Sequence, residues 1–342
     1  MEPLLEIQGL KTYFFLHEGT VKAVEGADIS IPRGGTVGVV GESGCGKSVT
    51  AFSVLQLVEQ PGRIVEGSVR WHRADARGGE PSVVDLAALH PRSRAMRDVR
   101  GREIAMIFQE PMVSLGPVHT IGAQIAEAVR QHNRVGRKEA QHISVDWLSK
   151  VGIPEPDKRF FSYPFQLSGG MRQRAMIAMA LSCSPDLLIA DEPTTALDVT
   201  TQAQILDLLG SLKAELGMAL MLITHNLGVV AETCGEVVVM YLGQVVERSP
   251  VDAVFHDPLH PYTRALLRSA PLLGKGRREK LETIQGWVPD AFNRPTGCPF
   301  HPRCPERIAG ECEKADIPLH VMRDGRGVRC VLYAGRATGA SR

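Results

Sequence analysis

The sequence has no apolar run of the roughly 18–20 residues that a membrane-spanning helix needs. Its longest apolar stretches, such as 218–223 and 237–242, are of strand length. Aromatic residues make up only 5% of the 342 positions. Neither sign of charge dominates: 39 Lys and Arg against 38 Asp and Glu give a net charge of +1, where a general nucleic-acid binder is clearly basic. The opening stretch, MEPLLEIQGL, has no basic segment ahead of an apolar one. No secretory signal is therefore expected, and the chain is expected in the cytosol. A disulfide framework is not expected there, and the seven cysteines include no CxxC pair. With 44% hydrophobic and 23% charged residues, the composition excludes a disordered or fibrous chain. No internal repeat is visible.

What is present is an alternation of strand and helix patterns. Residues 4–10 and 21–31 read as short strands, and 36–40 (TVGVV) as a buried strand that stops at Gly41. A helical pattern follows over 48–57. Residues 60–103 are hydrophilic and read as irregular, with Arg92, Arg94, Arg97, Arg100 and Arg102 as a solvated face. Residues 104–108, 187–190 and 219–223 read as buried strands, 121–182 and 200–216 as mostly helical, and 237–241 as the start of a last strand region. This predicts an α/β fold with a mixed, largely parallel sheet. Cys183 and Cys234 lie in apolar contexts and are expected in the core. From about 255 onward, prolines crowd in together with Cys298, Cys304, Cys312 and Cys330, which marks a separate, irregular region.

Gly41-Glu42-Ser43-Gly44-Cys45-Gly46-Lys47-Ser48, followed by Val49, matches GxxxxGK[ST] between an apolar strand and a helix. Glycines let backbone N–H groups close around phosphate oxygens, and the helix N-terminus adds partial positive charge. In such a loop Lys47 bridges the β- and γ-phosphates of ATP and the Ser48 hydroxyl holds Mg²⁺. Residues 187–192, LLIADE, form an apolar strand ending in two acids. Asp191 is placed to support the metal, and Glu192 to orient or deprotonate the attacking water. Leu167-Ser168-Gly169-Gly170-Met171-Arg172-Gln173-Arg174 is a second glycine-rich helix start carrying a serine hydroxyl. One chain cannot easily aim both glycine-rich starts at one nucleotide, whereas two chains arranged head to tail can.

With the LSGGxRQR string the chain resembles an ATP-binding cassette (ABC) protein. The resemblance implies a P-loop ATPase core with an N-terminal antiparallel β-subdomain and an inserted helical subdomain over about 110–182. The nucleotide-binding domain would span 1–255, and a C-terminal regulatory, Cys-rich domain 256–342. It further implies that Gln109 senses Mg²⁺ and the attacking water, that Ala196-Leu197-Asp198 is the D-loop, and that His225 contacts the γ-phosphate. Phe14 is the best match to the aromatic that stacks on adenine, with Tyr13 and Phe15 flanking it. Ser168, Gly169, Gly170 and Asp198 would complete the ATP site of a partner subunit.

GESGCGKS, IFQEPMVSL, ADEPTTALDVTTQAQIL and HDPLHPYTRALL resemble the ATPase subunits of dipeptide and oligopeptide importers, with nickel importers as close relatives. That likeness implies a second, different ATPase subunit, two membrane permease subunits and an extracytoplasmic binding protein. It places the chain at the cytoplasmic face of the membrane. Three departures stand out: Cys45 where serine is common, Asn226 for the aspartate that usually follows the switch histidine, and Gly116 for an asparagine. None removes a catalytic group. The four C-terminal cysteines, spaced C-x5-C-x7-C-x17-C, leave three readings open: a [4Fe–4S] cluster, which similar importer subunits also suggest, a zinc site, or free thiols. Soluble ABC ATPases acting on DNA or ribosomes are the rival class. No sustained heptad run separates Lys47 from Asp191, and only one cassette is present. A pure metal or redox protein would leave the ATPase motifs without a role.

Overall fold

The computed structural model describes residues 2–73, 82–109, 114–195, 197–269, 283–314 and 317–335. Ala196 of the expected D-loop and residues 110–113, at the start of the expected helical subdomain, lie outside that set.

In chain order the elements begin with β1 (Pro3–Leu16), β2 (Gly19–Pro32), β3 (Thr36–Val40), α1 (Lys47–Val54), β4 (Gly62–Arg73) and β5 (Ser82–Asp85). Next come α2 (Arg94–Val99), β6 (Ile104–Ile107), α3 (Ile121–His132), α4 (Arg137–Lys150), α5 (Pro156–Arg159), α6 (Gly169–Leu181), β7 (Leu187–Asp191) and α7 (Val199–Leu216). The chain continues with β8 (Ala219–Ile223), α8 (Leu227–Thr233), β9 (Glu236–Tyr241), β10 (Gln244–Pro250), α9 (Val251–His256), α10 (Pro261–Ser269), β11 (His320–Val321) and β12 (Gly327–Val328). It divides into two compact units, Met1–Ala88 with Leu222–Arg342, and Leu89–Met221.

The first unit holds an antiparallel sheet in the order β2-β1-β4-β5, the expected N-terminal β-subdomain. Its strands are longer than the sequence suggested, because register shifts within the β1–β2 and β1–β4 ladders interrupt the alternation without ending the pairing. The stretch 60–103 also departs from expectation: it contains β4, β5 and α2. In β4 only Gly62, Val69 and Trp71 are buried, so its charged, solvated face hid the strand pattern. A second set of strands runs β11-β12-β10-β9-β3. There β3 and β9 are parallel, with Val40 opposite Val239. Every residue of β3 is buried, as expected of a strand covered on both faces.

In the second unit β6 and β7 pair in parallel with Ile107 opposite Ala190. Helix α3 starts at Thr120, whose hydroxyl accepts from the Ala123 N–H. It buries Ile121, Ile125 and Val129 on one face. Gly122 is required there, since a Cβ would stand 2.0 Å from the Phe160 ring. Cys234 is buried as expected; Cys183 is only half-buried, with its thiol near the Ala128 carbonyl.

Candidate functional site

In the first unit, the buried strand β3 delivers the chain into Gly41 and the loop that opens α1. The loop must pack tightly. A Cβ at Gly41 would stand 2.2 Å from the Met240 carbonyl oxygen, and one at Gly46 2.2 Å from the Ala23 carbonyl oxygen. Gly46 also holds φ +96°, a conformation that glycine adopts cheaply. Lys47 opens α1 and is buried; its Nζ donates to the Gly41 carbonyl at 2.9 Å and the Glu42 carbonyl at 3.1 Å. Ser43 and Gly44 are exposed, and Ser48 and Val49 are half-buried on the first turn. Burial pushes the Cys45 thiol up, against the pull of the neighbouring Lys47 ammonium.

His225 is exposed just past the end of β8. Its neighbour Thr224 donates a backbone N–H to the Val39 carbonyl at 3.2 Å, which ties the histidine segment to the strand that feeds the phosphate loop. Asn226 caps α8, its Oδ1 accepting from the N–H groups of Gly228 and Val229 at 3.0 and 3.4 Å. An aspartate would offer the same acceptor, so this departure leaves the cap intact. Phe14 is half-buried, and its ring packs where a Cβ on Gly62 would sit, beside Val58. The exposed aromatic of the trio is Phe15, under the Arg63 guanidinium at 4.4 Å.

In the second unit the parallel pairing of β6 and β7 carries Gln109 and Glu192 to the same strand ends, each two residues past the paired Ile107 and Ala190. Gln109 Nε2 donates to Glu192 Oε2 at 3.3 Å, and the Thr195 hydroxyl donates to the same oxygen at 2.8 Å. Glu192 is held at φ +46°, an uncommon backbone state for a residue with a Cβ. Asp191, the last residue of β7, is 1% exposed. Ser168 caps α6, its hydroxyl accepting from the Met171 N–H, and is exposed. Asp198 caps α7, accepting from the Thr201 N–H at 2.9 Å and its hydroxyl at 2.7 Å; these bonds hold its carboxyl below the usual range. The two helix starts are neighbours, for a Cβ at Gly170 would stand 3.0 Å from the Thr201 methyl, and one at Gly169 3.7 Å from Leu197. The motif spacing gave no sign of the roles of Thr195 and Gln173. Gln173 is buried on α6, and its amide donates to the Pro193 carbonyl, binding that helix to the turn after Glu192.

Cys298, Cys304, Cys312 and Cys330 line one small cavity with Ile317, Val331 and Leu332. Burial pushes the Cys298 thiol up to about 12 and that of Cys330 up to about 11, and it raises Cys304 as well. Among the described residues, no group of three or more His, Cys, Asp or Glu stands in position to hold a metal ion.

A glycine-rich loop between a buried strand and a helix, with its lysine at the helix start and a second buried strand ending in two acids, defines a P-loop nucleotide-binding protein. The ABC transporter family model matches residues 24–195, and that of the oligopeptide/dipeptide transporter C-terminal region matches 246–312. The chain is 51% identical to a putative peptide import ATP-binding protein of Brucella ovis, covering 97% of this chain and 98% of that one. It is 47% identical to the oligopeptide transport ATP-binding protein AppD of Bacillus subtilis, over 97% and 98% of the two chains. Among solved structures, the ATP-binding cassette MJ0796, bound to ADP and Pi, superposes with a TM-score of 0.62. That match covers 72% of this chain and 98% of that one at 24% identity, and shows the shared fold. The chain belongs to the ABC transporter family, as one of its ATP-binding subunits.

Proposed function

We propose that this chain is the ATP-hydrolysing subunit that powers import of di- or oligopeptides across the cytoplasmic membrane. One observation carries the reading: a phosphate loop with its lysine seated on the helix start shares the chain with an oligopeptide/dipeptide-transporter C-terminal region. The relatives named as peptide import and oligopeptide transport proteins match along nearly the whole length. No helix among the described residues is long and apolar enough to cross a membrane. Permeation then falls to other chains, here two membrane permease subunits, with an extracytoplasmic binding protein delivering the peptide. The chain itself sits peripherally at the cytoplasmic face and pairs head to tail with a second ATPase subunit.

In this reading Lys47 neutralises charge on the transferred phosphoryl group, and Ser48, Gln109 and Asp191 serve the magnesium. Glu192 takes the proton of the attacking water, and His225 contacts the γ-phosphate. The loop glycines Gly41, Gly44 and Gly46 present backbone N–H groups, and Phe14 lies on the adenine side. Ser168, Gly169, Gly170 and Asp198 face the nucleotide of the partner subunit. Nucleotide-driven closing and opening of the pair rocks the permease between its two states.

The four C-terminal cysteines hold a [4Fe–4S] cluster in this proposal. They converge on one cavity. Four thiolates on irregular, proline-rich backbone are a ligand set that such a cluster uses, and their spacing lacks the CxxC pairs typical of a zinc ribbon. The cluster would lend structural rigidity or redox sensitivity, outside the ATPase motifs. Anaerobic purification with iron analysis tests it; absence of iron and of absorbance near 400 nm refutes it.

The transport reading is tested by tagging the Glu192→Gln form, adding MgATP, and identifying chains that co-purify from detergent-solubilised membranes. Two multi-spanning proteins and a second cassette ATPase are expected. Ribosomal or DNA-repair proteins without membrane subunits contradict it.

A further inference from the structure

The C-terminal region reaches the phosphate loop through side chains that the nucleotide chemistry does not use. Both grips fall on Glu42, the residue after Gly41. Its backbone N–H donates to the Tyr262 hydroxyl at 2.9 Å. Its carboxylate is held by both terminal nitrogens of Arg303, Nη1 to Oε2 at 2.8 Å and Nη2 to Oε1 at 3.3 Å. The Arg303 side chain is 4% exposed and that of Glu42 25%, so this two-pronged pair is well shielded from water.

Arg303 spends its remaining N–H groups on neighbours. Nη1 also donates to the Tyr241 hydroxyl at 3.2 Å, Nη2 to the Ile284 carbonyl at 3.4 Å, and Nε to the Gln285 carbonyl at 3.1 Å. A guanidinium with every nitrogen engaged is locked in one orientation. Tyr262 is locked as well. Its ring is fully buried and meets Tyr241 at 4.7 Å and Phe300 at 5.3 Å between centroids.

Phe300 and Arg303 sit on the short segment bounded by Cys298 and Cys304, two thiols of the four-cysteine cavity. The segment is a single turn: the Arg303 N–H donates to the Phe300 carbonyl at 2.9 Å and the Cys304 N–H to the His301 carbonyl at 3.3 Å. A displacement of the Cys298 or Cys304 sulfur therefore moves the turn that carries the guanidinium. On the loop side, the Glu42 carbonyl accepts from the Lys47 ammonium at 3.1 Å. The residue that Arg303 grips is thus also bonded to the phosphate-binding lysine.

We propose that Arg303 and Tyr262 are positioning residues for the phosphate loop, and that the four-thiol cavity sets the loop's nucleotide affinity through the turn that carries Arg303. The proposal rests on ATP binding by the loop. It is independent of what is transported and of what the thiols hold. By linkage the coupling runs both ways, so nucleotide binding also stabilises the turn.

The test is a double-mutant cycle on the full chain, with MgATP affinity read by calorimetry. Cys304→Ser and Glu42→Gln each weaken binding by about tenfold, and the double variant binds no more weakly than Glu42→Gln alone, because the cavity acts through Glu42. Arg303→Lys keeps the charge but loses the fork, and it weakens binding as Glu42→Gln does. Wild-type affinity in Cys304→Ser, or losses that multiply in the double variant, overturns the proposal. A second measurement serves if Cys304→Ser does not fold. Amide hydrogen exchange over 298–304 slows on adding MgATP to the wild type and does not slow in Arg303→Lys. Equal slowing in both, or none in the wild type, overturns the coupling. A transport failure with this cycle intact refutes the importer reading only.

Discussion

Replacing Glu192 by glutamine removes a base and leaves its scaffold in place. The two hydrogen bonds from Gln109 and the Thr195 hydroxyl both land on Oε2, at 3.3 and 2.8 Å. A glutamine carbonyl oxygen can occupy that position and accept both, so the strand end keeps its local bonding. The carboxylate's charge and its capacity to take a proton are lost. General-base catalysis contributes about 10²–10⁴ in rate, or roughly 2.7–5.4 kcal/mol of barrier at 1.36 kcal/mol per decade. Phosphate release under saturating MgATP should fall by that factor. Affinity for MgATP, measured by calorimetry on the same preparation, should stay within about threefold of wild type. Turnover within threefold of wild type, with affinity unchanged, would refute the role given to Glu192. Loss of affinity together with turnover would mean that the carboxylate holds the strand end in place instead.

Three further outcomes follow from the same geometry. Lys47→Ala removes the ammonium buried under the loop, so calorimetry should show MgATP affinity falling by at least about tenfold; unchanged affinity contradicts the lysine's role. Gly46→Ala places a methyl 2.2 Å from the Ala23 carbonyl oxygen at φ +96°. The left-handed backbone alone costs roughly 1–2 kcal/mol, so the unfolding midpoint should drop and nucleotide binding should be lost; a variant that binds MgATP normally refutes the close packing. Cys298 and Cys330 are pushed up to about 12 and about 11 from an ordinary 9.0. The folded chain holds these protons more tightly than the unfolded one, so their stabilising contribution is complete below pH 9 and is lost as pH rises toward 11–12. In the metal-free chain, alkylation of Cys298 by iodoacetamide should remain slow at pH 9; reaction at the rate of a free thiol contradicts the burial.

The parts legible in the sequence are those in which chemistry and local pattern coincide. TVGVV before Gly41 and LLIAD before Glu192 are short apolar runs that end at a functional residue, and both are fully buried strands. The helix starts at Ser168 and Asp198 carry ordinary capping residues, and each side chain caps as its type suggests. What escaped reading depends on partners far away in the chain. Strand β4 exists because it pairs with β1, and its exposed Glu66 and Arg70 disguise the alternation. The single bonds from Gln173 to Pro193 and from Thr195 to Glu192 have no spacing signature. The Arg303–Glu42 pair joins residues 261 positions apart, and neither residue type in its local setting points to the other. The four cysteines were visible as a group, but their convergence on one cavity is a property of the folded backbone between them.

The central claim is that ATP hydrolysis by this chain drives peptide uptake. The most direct measurement is accumulation of a labelled di- or oligopeptide in cells lacking the chain, complemented with either the wild type or Glu192→Gln at equal abundance. Restored uptake with the wild type and none with the variant is the predicted result. Peptide uptake that is unaffected by loss of the chain, or fully restored by Glu192→Gln, would contradict the account.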